Sequence, residues 1–357
     1  MTVDFIFDGL NQLFPSIAGN DFFLVIAMLL PFAALFGFIT IYGFGVIYSE
    51  LKVSSFIQDK IGPMGQGPGL HAGKWGVLQP VADGLKLFFK EDIIPASADK
   101  PLFILAPFLI FIGAFISIIA VPFGEKIIVT DMNIGIFYIL GVGSLAVIAL
   151  ILAGWSSNNK WALYGGMRSA AQIISYEIPA GISLVVVIML TSSLSMQEII
   201  SYQSGGLFNW VIFDNPFMPI AFVIYFISAL AETNRTPFDL PESESELVAG
   251  FVTEYSGARY ALFFLSEYAN MFVVSAVAAA GFLGGWQSPF AGFLDTPAWS
   301  MFWMISKTFF LIFVMIWVRW TVPRLRVDQL MHMCWKVFIP IGLFNVFGVA
   351  IWTVLRG

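Results

Sequence analysis

Eight apolar runs, each close to the length needed to cross a lipid bilayer, divide the chain, and nothing else in the sequence limits its fold as strongly. They extend approximately from Phe22 to Tyr48, Pro101 to Val121, Asn133 to Leu152, Ala170 to Leu190, Pro216 to Ala231, Tyr260 to Leu283, Ala298 to Val318 and Cys334 to Val354. A hydrocarbon core roughly 30 Å thick takes about 20 helical residues at about 1.5 Å each. In lipid, a helix also satisfies its backbone hydrogen bonds within one segment. The runs therefore predict an all-α, polytopic integral membrane protein with about eight transmembrane helices, all 357 residues belonging to a single membrane domain. A mean hydropathy of +0.86 agrees. The fifth run has only about sixteen residues, so it requires protein neighbours, or a partly buried polar end from Glu232 onward.

Orientation follows from the bases, because short loops rich in Lys and Arg stay on the cytoplasmic side. Of the 17 Lys and Arg, fourteen fall after odd-numbered runs, Lys126 and Arg356 fall on the other side, and Lys307 lies inside the seventh run. The expected location is thus a bacterial inner (plasma) membrane, with both termini and the loops near Asp214 and Asp295 in the periplasm. No basic segment precedes the first apolar run, so no removable signal peptide is expected. One cysteine and two histidines exclude a disulfide within the chain and a Cys-ligated iron–sulfur cluster, and make any metal or haem site unexpected. No basic stripe is present, so nucleic acid is not an expected partner.

The first cytoplasmic segment, 50–100, reads as two amphipathic helices around a Gly-rich loop. Val53, Phe56 and Ile57 share one face, and so do Val77, Val81, Leu85 and Phe88. Helices of this kind lie along the membrane surface, as anchors or as the lining of an entrance for a lipid-soluble substrate. Met64 to Gly73, with four glycines and a proline, is expected to be loop.

Charge within the runs is costly, on the order of 2.5–3.5 kcal/mol near the bilayer centre. Glu177 and Glu267 are expected roughly 12 Å from the cytoplasmic edge, Glu232 ends the fifth run, and Lys307 is expected to oppose them. Structural ion pairing and proton handling are both open readings. Between the fifth and sixth runs lies an acidic cytoplasmic loop, 231–259. From Ala231 to Glu267 the chain holds Glu232, Asp239, Glu242, Glu244, Glu246, Glu254 and Glu267, answered only by Arg235 and Arg259. Ser243 and Glu246 form a capping-box pattern that predicts a helix to about Tyr255. The loop is either solvated or drawn inward by Phe238, Leu240, Leu247, Val248 and Phe251 and stiffened by Pro237 and Pro241.

The run AETNRTPFDLPESESELVAGFVTEY, with the later SEYANM, closely resembles the signature of the quinone-site membrane subunit of respiratory complex I, called the H subunit in bacteria and subunit 1 in mitochondria. RSAAQIISYE, GVLQPVADGLKLFFKE and RWTVPRLRVDQLMHMCWK resemble that family's other cytoplasmic-side motifs, in its order, so the likeness extends from about Glu50 to Asn345. The resemblance implies a subunit of proton-pumping NADH:quinone oxidoreductase that encloses much of the quinone-access chamber and starts the proton path. It implies quinone as substrate and no redox cofactor in this chain. Iron–sulfur clusters and FMN are implied in soluble partner subunits on the cytoplasmic side, with antiporter-like subunits as partners in the bilayer. Glu177, Glu232 and Glu267 match the family's buried path acids. Asp239, Glu242, Glu244, Glu246 and Glu254 match its acidic funnel. Asp83, Arg235, Arg324 and Arg326 match residues around the chamber, and Glu50, Lys52 and Lys60 are candidates at its mouth.

Some positions depart from the family pattern. Leu51 and Lys60 stand where the family usually has arginine, and the 64–73 loop is longer by several residues. Two rival functions are an anchor subunit of a proton-pumping hydrogenase-type complex, which would carry a different acidic run, and a free-standing ion transporter. A transporter typically shows internal repeats, and the chain has none.

Overall fold

The computed structural model describes residues 21–63, 75–241, 244–290, 292, 294 and 296–356. The described residues form helices and loops with no strand. The helices are α1 (Asp21–Ile57), α2 (Gln79–Phe89), α3 (Lys100–Ile119), α4 (Gly135–Gly143), α5 (Leu145–Ser156), α6 (Lys160–Thr191), α7 (Met196–Tyr202), α8 (Met218–Glu232), α9 (Gly257–Phe282), α10 (Pro297–Thr321), α11 (Val327–Met333) and α12 (Ile339–Arg356). Single-turn helices at Val211–Asp214 and Glu244–Leu247 lie in the loops on either side of α8.

Each of the eight apolar runs forms a helix. Seven are long and apolar enough to cross a membrane, with α4 and α5 making one such span and α11 joining α12 through a π turn at Cys334–Phe338 to make another. The eighth, α8, is the shorter apolar helix expected of the fifth run. Its 15 residues reach about 22 Å, less than the roughly 30 Å hydrocarbon core. Protein compensates for the deficit, since α8 packs along α6 and α9 and buries Ala221, Ile224, Tyr225, Ser228 and Leu230.

Two helices overrun their apolar cores. The 32 residues of α6 reach about 48 Å, so its first turns extend past the span that begins near Ala170. This start is fixed by Asn159, whose side chain accepts a hydrogen bond from the Trp161 N–H. Helix α1 continues without interruption through Ile57. The Val53–Phe56–Ile57 face is therefore the end of the first span and not a separate surface helix, because nothing between Tyr48 and Val53 breaks the helix. The second expected surface helix exists as α2, which rests on α9 and α1 and leaves Phe88 and Phe89 exposed. The Gly-rich 64–73 loop lies outside the described residues.

Helix α6 is the axis of the bundle, contacted by α5, α8 and α12. It also holds the acidic loop. Gln172, 2 % exposed, donates to the carbonyls of Ala231 and Phe238 and to Asn234 Oδ1. Gly165 lets the loop backbone approach, since a Cβ there would lie 2.6 Å from Gly250 Cα and from the Phe251 nitrogen. Phe238, Leu240, Leu247 and Phe251 are buried as expected of an inward-drawn loop, whereas Val248 is exposed at φ 67°. The helix expected to reach Tyr255 ends at Leu247. Val248 and Gly250 both take positive φ, which stops an α-helix, and a short 3₁₀ turn, Gly250–Val252, follows instead.

Candidate functional site

The buried chemistry gathers at one end of the bundle, where α1, α9, α10 and the segment after α8 meet. Glu50, near the end of α1, is 7 % exposed, and Arg235, three residues beyond α8, is 4 % exposed. Both Glu50 carboxylate oxygens accept from Arg235 Nη1 at 3.4 Å. Glu50 Oε1 also pairs with Arg319 from α10, and Oε2 accepts the Tyr268 hydroxyl at 2.6 Å. Arg235 lies over the Tyr268 ring at 4.3 Å and brings its Nη2 to 3.8 Å from Glu267 Oε2. Two carboxylates, two guanidiniums and a phenol thus form one node whose formal charges cancel, buried at Glu50, Arg235 and Tyr268 and partly exposed at Glu267 and Arg319. Burial opposes the Arg235 charge, yet Tyr268, Glu50 and Glu267 hold its pKa above the ordinary arginine value.

The node joins residues that the sequence separates. Glu50 is expected from the sequence at a chamber mouth, Arg235 at the chamber wall and Glu267 among the path acids. Tyr268 and Arg319 are not among the expected residues. Tyr268 directly follows Glu267 in SEYANM, and that adjacency is the available signal. Arg319 enters the sequence reading as one more cytoplasmic base and as the first residue of the RWTVPRLRVDQLMHMCWK motif, with no role assigned to it.

A few residues away, Glu177 on α6 and Glu232 at the end of α8 line one cavity of about 70 Å³, shared with Tyr225, Thr233 and Asn270. The rest of its wall is largely apolar, from Ile136 and Ile139 to Val273 and Val277. Glu232 Oε1 is buried without a hydrogen-bond partner among the described residues. An ordered water needs about 10–15 Å³ of such space and polar partners, so this cavity suits several waters. Lys307 does not oppose these acids. It lies toward the other end of α10, donating to the carbonyls of Gly285 and Gln287 at 2.9 and 2.7 Å and facing the Trp210 ring at 4.2 Å.

The remaining candidates are more peripheral. Asp239 Oδ2 pairs with Arg324 at 3.0 Å, linking an acidic-loop residue with one expected at the chamber. Glu246 pairs with Arg168 at 2.6 Å and Glu254 accepts from Asn159 at 2.6 Å, so each is tied to the start of α6 or the residue capping it. Asp83 pairs along α2 with Lys86. Lys52 donates to the Pro63 carbonyl, Lys60 is exposed, and Arg326 pairs with Asp328 at the surface. Glu242 lies outside the described residues, and of Glu244 only the helical backbone is described. Among the described residues, no group of three His, Cys, Asp or Glu is placed to hold a metal ion.

Comparison with known proteins places the chain in a family. The family model described as NADH dehydrogenase matches residues 29–350. The H subunit of the Chlorobaculum tepidum NADH-quinone oxidoreductase is 52 % identical over 318 residues, covering 86 % of this chain and 87 % of that one. Its counterpart in Anaeromyxobacter dehalogenans is 48 % identical over 326 residues, covering 87 % and 78 %. The counterpart in a Geobacillus species is 48 % identical over 305 residues, covering 85 % and 87 %. With likeness of that extent, the chain belongs to the NADH dehydrogenase family as an H subunit of NADH-quinone oxidoreductase, a membrane subunit of complex I.

Proposed function

We propose that this subunit encloses much of the quinone-access chamber and begins the proton path that couples quinone reduction to proton translocation, and that the Glu50 node is where the two meet. The observation that carries this reading is the double engagement of Arg235, which holds Glu50 on one side and Glu267 on the other. At 3.8 Å and an effective dielectric near 20, the gross attraction between Arg235 and Glu267 is about 4 kcal/mol. A shift of Arg235 toward Glu50 by about 1 Å weakens that attraction by about 1 kcal/mol, and a charge arriving beside Glu50 acts on Glu267 through the same Coulomb interaction. About 1.4 kcal/mol is a factor of ten in a proton equilibrium, so small movements at the node are sufficient to redistribute protons.

From Glu267 the path continues through the cavity shared by Glu177 and Glu232, with water as the carrier between carboxylates. Asp239, Glu242, Glu244, Glu246 and Glu254 form the acidic funnel beside it. Asp83, Arg324, Arg326, Lys52 and Lys60 border the chamber, and the exposed Phe88 and Phe89 of α2 suit an entrance for an isoprenoid tail. The substrate class is a ubiquinone or menaquinone. Iron–sulfur clusters and FMN reside in soluble partner subunits on the cytoplasmic side, and antiporter-like subunits adjoin the chain in a bacterial inner membrane. Both termini then face the periplasm, on the strength of the basic residues gathered on the other side.

A photoreactive quinone analogue added to the intact oxidoreductase tests the chamber assignment. Label is expected in peptides bearing Glu50 to Pro63 or Arg235 to Asp239, and excess natural quinone should suppress it. Label confined to peptides from the α7 end of the bundle, or insensitive to competition, contradicts the assignment.

A further inference from the structure

At the end of α8 remote from Glu232, four buried polar atoms on one interface have no hydrogen-bond partner among the described residues: Asp214 Oδ2, Asn215 Nδ2, Asn345 Oδ1 and Trp352 Nε1. Asn215 is 5 % exposed and Asn345 1 % exposed. The two amides grip the same short stretch of backbone. Asn215 Oδ1 accepts from the N–H groups of Phe217 and Met218 at 3.0 and 3.1 Å, while Asn345 Nδ2 donates to the Phe217 carbonyl at 2.8 Å. Asp214 Oδ1 accepts from Arg356 at 2.7 Å, and Arg356 lies 6.0 Å from the Trp352 ring. Asn345, Trp352 and Arg356 belong to α12, and Gly348 between them lets the Phe217 ring approach. The four residues thus lie along the contact of α12 with the 214–217 segment, Trp352 one turn before the Arg356 that pairs with Asp214.

The shortness of α8 explains why polar backbone needs such support here. A helix of about 22 Å leaves several ångströms of a roughly 30 Å hydrocarbon core to irregular chain. Non-helical backbone at that depth is tolerated where protein covers it or water reaches it. Asn345 lies eleven residues from Arg356, about 16 Å along α12. Buried polar groups almost always find a partner, and leaving one unmet costs roughly 1–3 kcal/mol. The unmet set comprises two donors, from Asn215 and Trp352, and two acceptors, from Asp214 and Asn345. That is the complement of a water molecule, which offers two of each.

We propose that this interface is a structural water site, in which one or two ordered waters bridge the Asn215 and Asn345 amides, the Asp214 carboxylate and the Trp352 indole, and so hold the 214–217 segment at membrane depth. The site lies at the opposite end of α8 from the Glu50 node and is independent of the quinone and proton assignments.

A density map of the intact oxidoreductase in lipid nanodiscs, sharp enough to show ordered waters, tests it directly. A peak within hydrogen-bonding distance of at least two of the four atoms is the expected result. Direct bonding of the Asn215 and Asn345 amides to each other with no peak, or an acyl chain or partner side chain against the four atoms, overturns the proposal. Hydroxyl-radical footprinting of the same complex adds a second reading, because radiolysed bound water labels its neighbours. Phe217 and Trp352 should be labelled in the native complex and should lose that label in Asn345→Leu. Absence of label in the native complex, or label unchanged in the variant, is likewise incompatible with a bound water.

Discussion

Replacing Arg235 with methionine removes a buried charge from a set of four, and the structure indicates how large the consequence should be. Arg235 lies 3.4 Å from Glu50 and 3.8 Å from Glu267. At an effective dielectric near 20 these contacts correspond to gross attractions of about 5 and about 4 kcal/mol. Desolvation of the three groups offsets much of that, and breaking a buried pair from one side has a net cost of roughly 3–5 kcal/mol. Arg319 remains on Glu50, but Glu267 then loses the Arg235 charge that lies beside it. Arg235→Met should therefore lower the yield of assembled oxidoreductase in membranes, measured on native gels, by two orders of magnitude or more. Adding Glu267→Gln removes the carboxylate that lost its Arg235 neighbour and should recover a substantial part of that yield. Normal assembly of Arg235→Met, or a double variant worse than the single, would refute the coupled node.

Two further outcomes follow from the loop. Gly165→Val drives a side chain into Gly250 and Phe251, an overpacking cost of roughly 1–3 kcal/mol, and should accelerate protease cleavage near the exposed Val248; an unchanged cleavage rate means the close approach does not anchor the loop. Glu246→Gln breaks only a half-exposed pair with Arg168, worth up to about 1 kcal/mol, and should leave assembly within a few-fold of native; a collapse of assembly shows the pair to be structural.

The helices are legible in the sequence because apolar runs of span length have one stable solution in lipid, and even the shortness of α8 can be read from Pro216 to Ala231. Their ends are less so. Whether α1 stops at Tyr48 or continues to Ile57 depends on the absence of a breaker, and the polar turn at Ser54 and Ser55 resembles a new surface helix. The loop after Leu247 departs from its expected helix because the capping pattern predicts a start but cannot foresee positive φ at Val248 and Gly250. For the site, acids deep in apolar runs signal Glu177, Glu232 and Glu267, and the family resemblance signals Arg235. The node itself is not visible in the sequence, since Glu50, Arg235, Glu267 and Arg319 are separated by up to 269 residues and only folding reveals that one carboxylate serves two guanidiniums. Lys307 shows the same limit: its run is evident, but a span position alone does not say which end of the bundle it faces.

The central claim is that buried carboxylates pass the effect of quinone chemistry to protons in the membrane. Its most direct measurement is the pair of rates, NADH oxidation and proton movement, in vesicles reconstituted with oxidoreductase carrying Glu177→Gln, Glu267→Gln or Glu244→Gln, each assembled to native levels. Glutamine preserves shape and hydrogen bonding while removing the titrating group. Quinone-linked turnover and proton movement should fall together in Glu177→Gln and Glu267→Gln and change little in Glu244→Gln, since water can substitute in the loop. Full turnover with full proton movement in the Glu177 and Glu267 variants would make these acids structural and contradict the account.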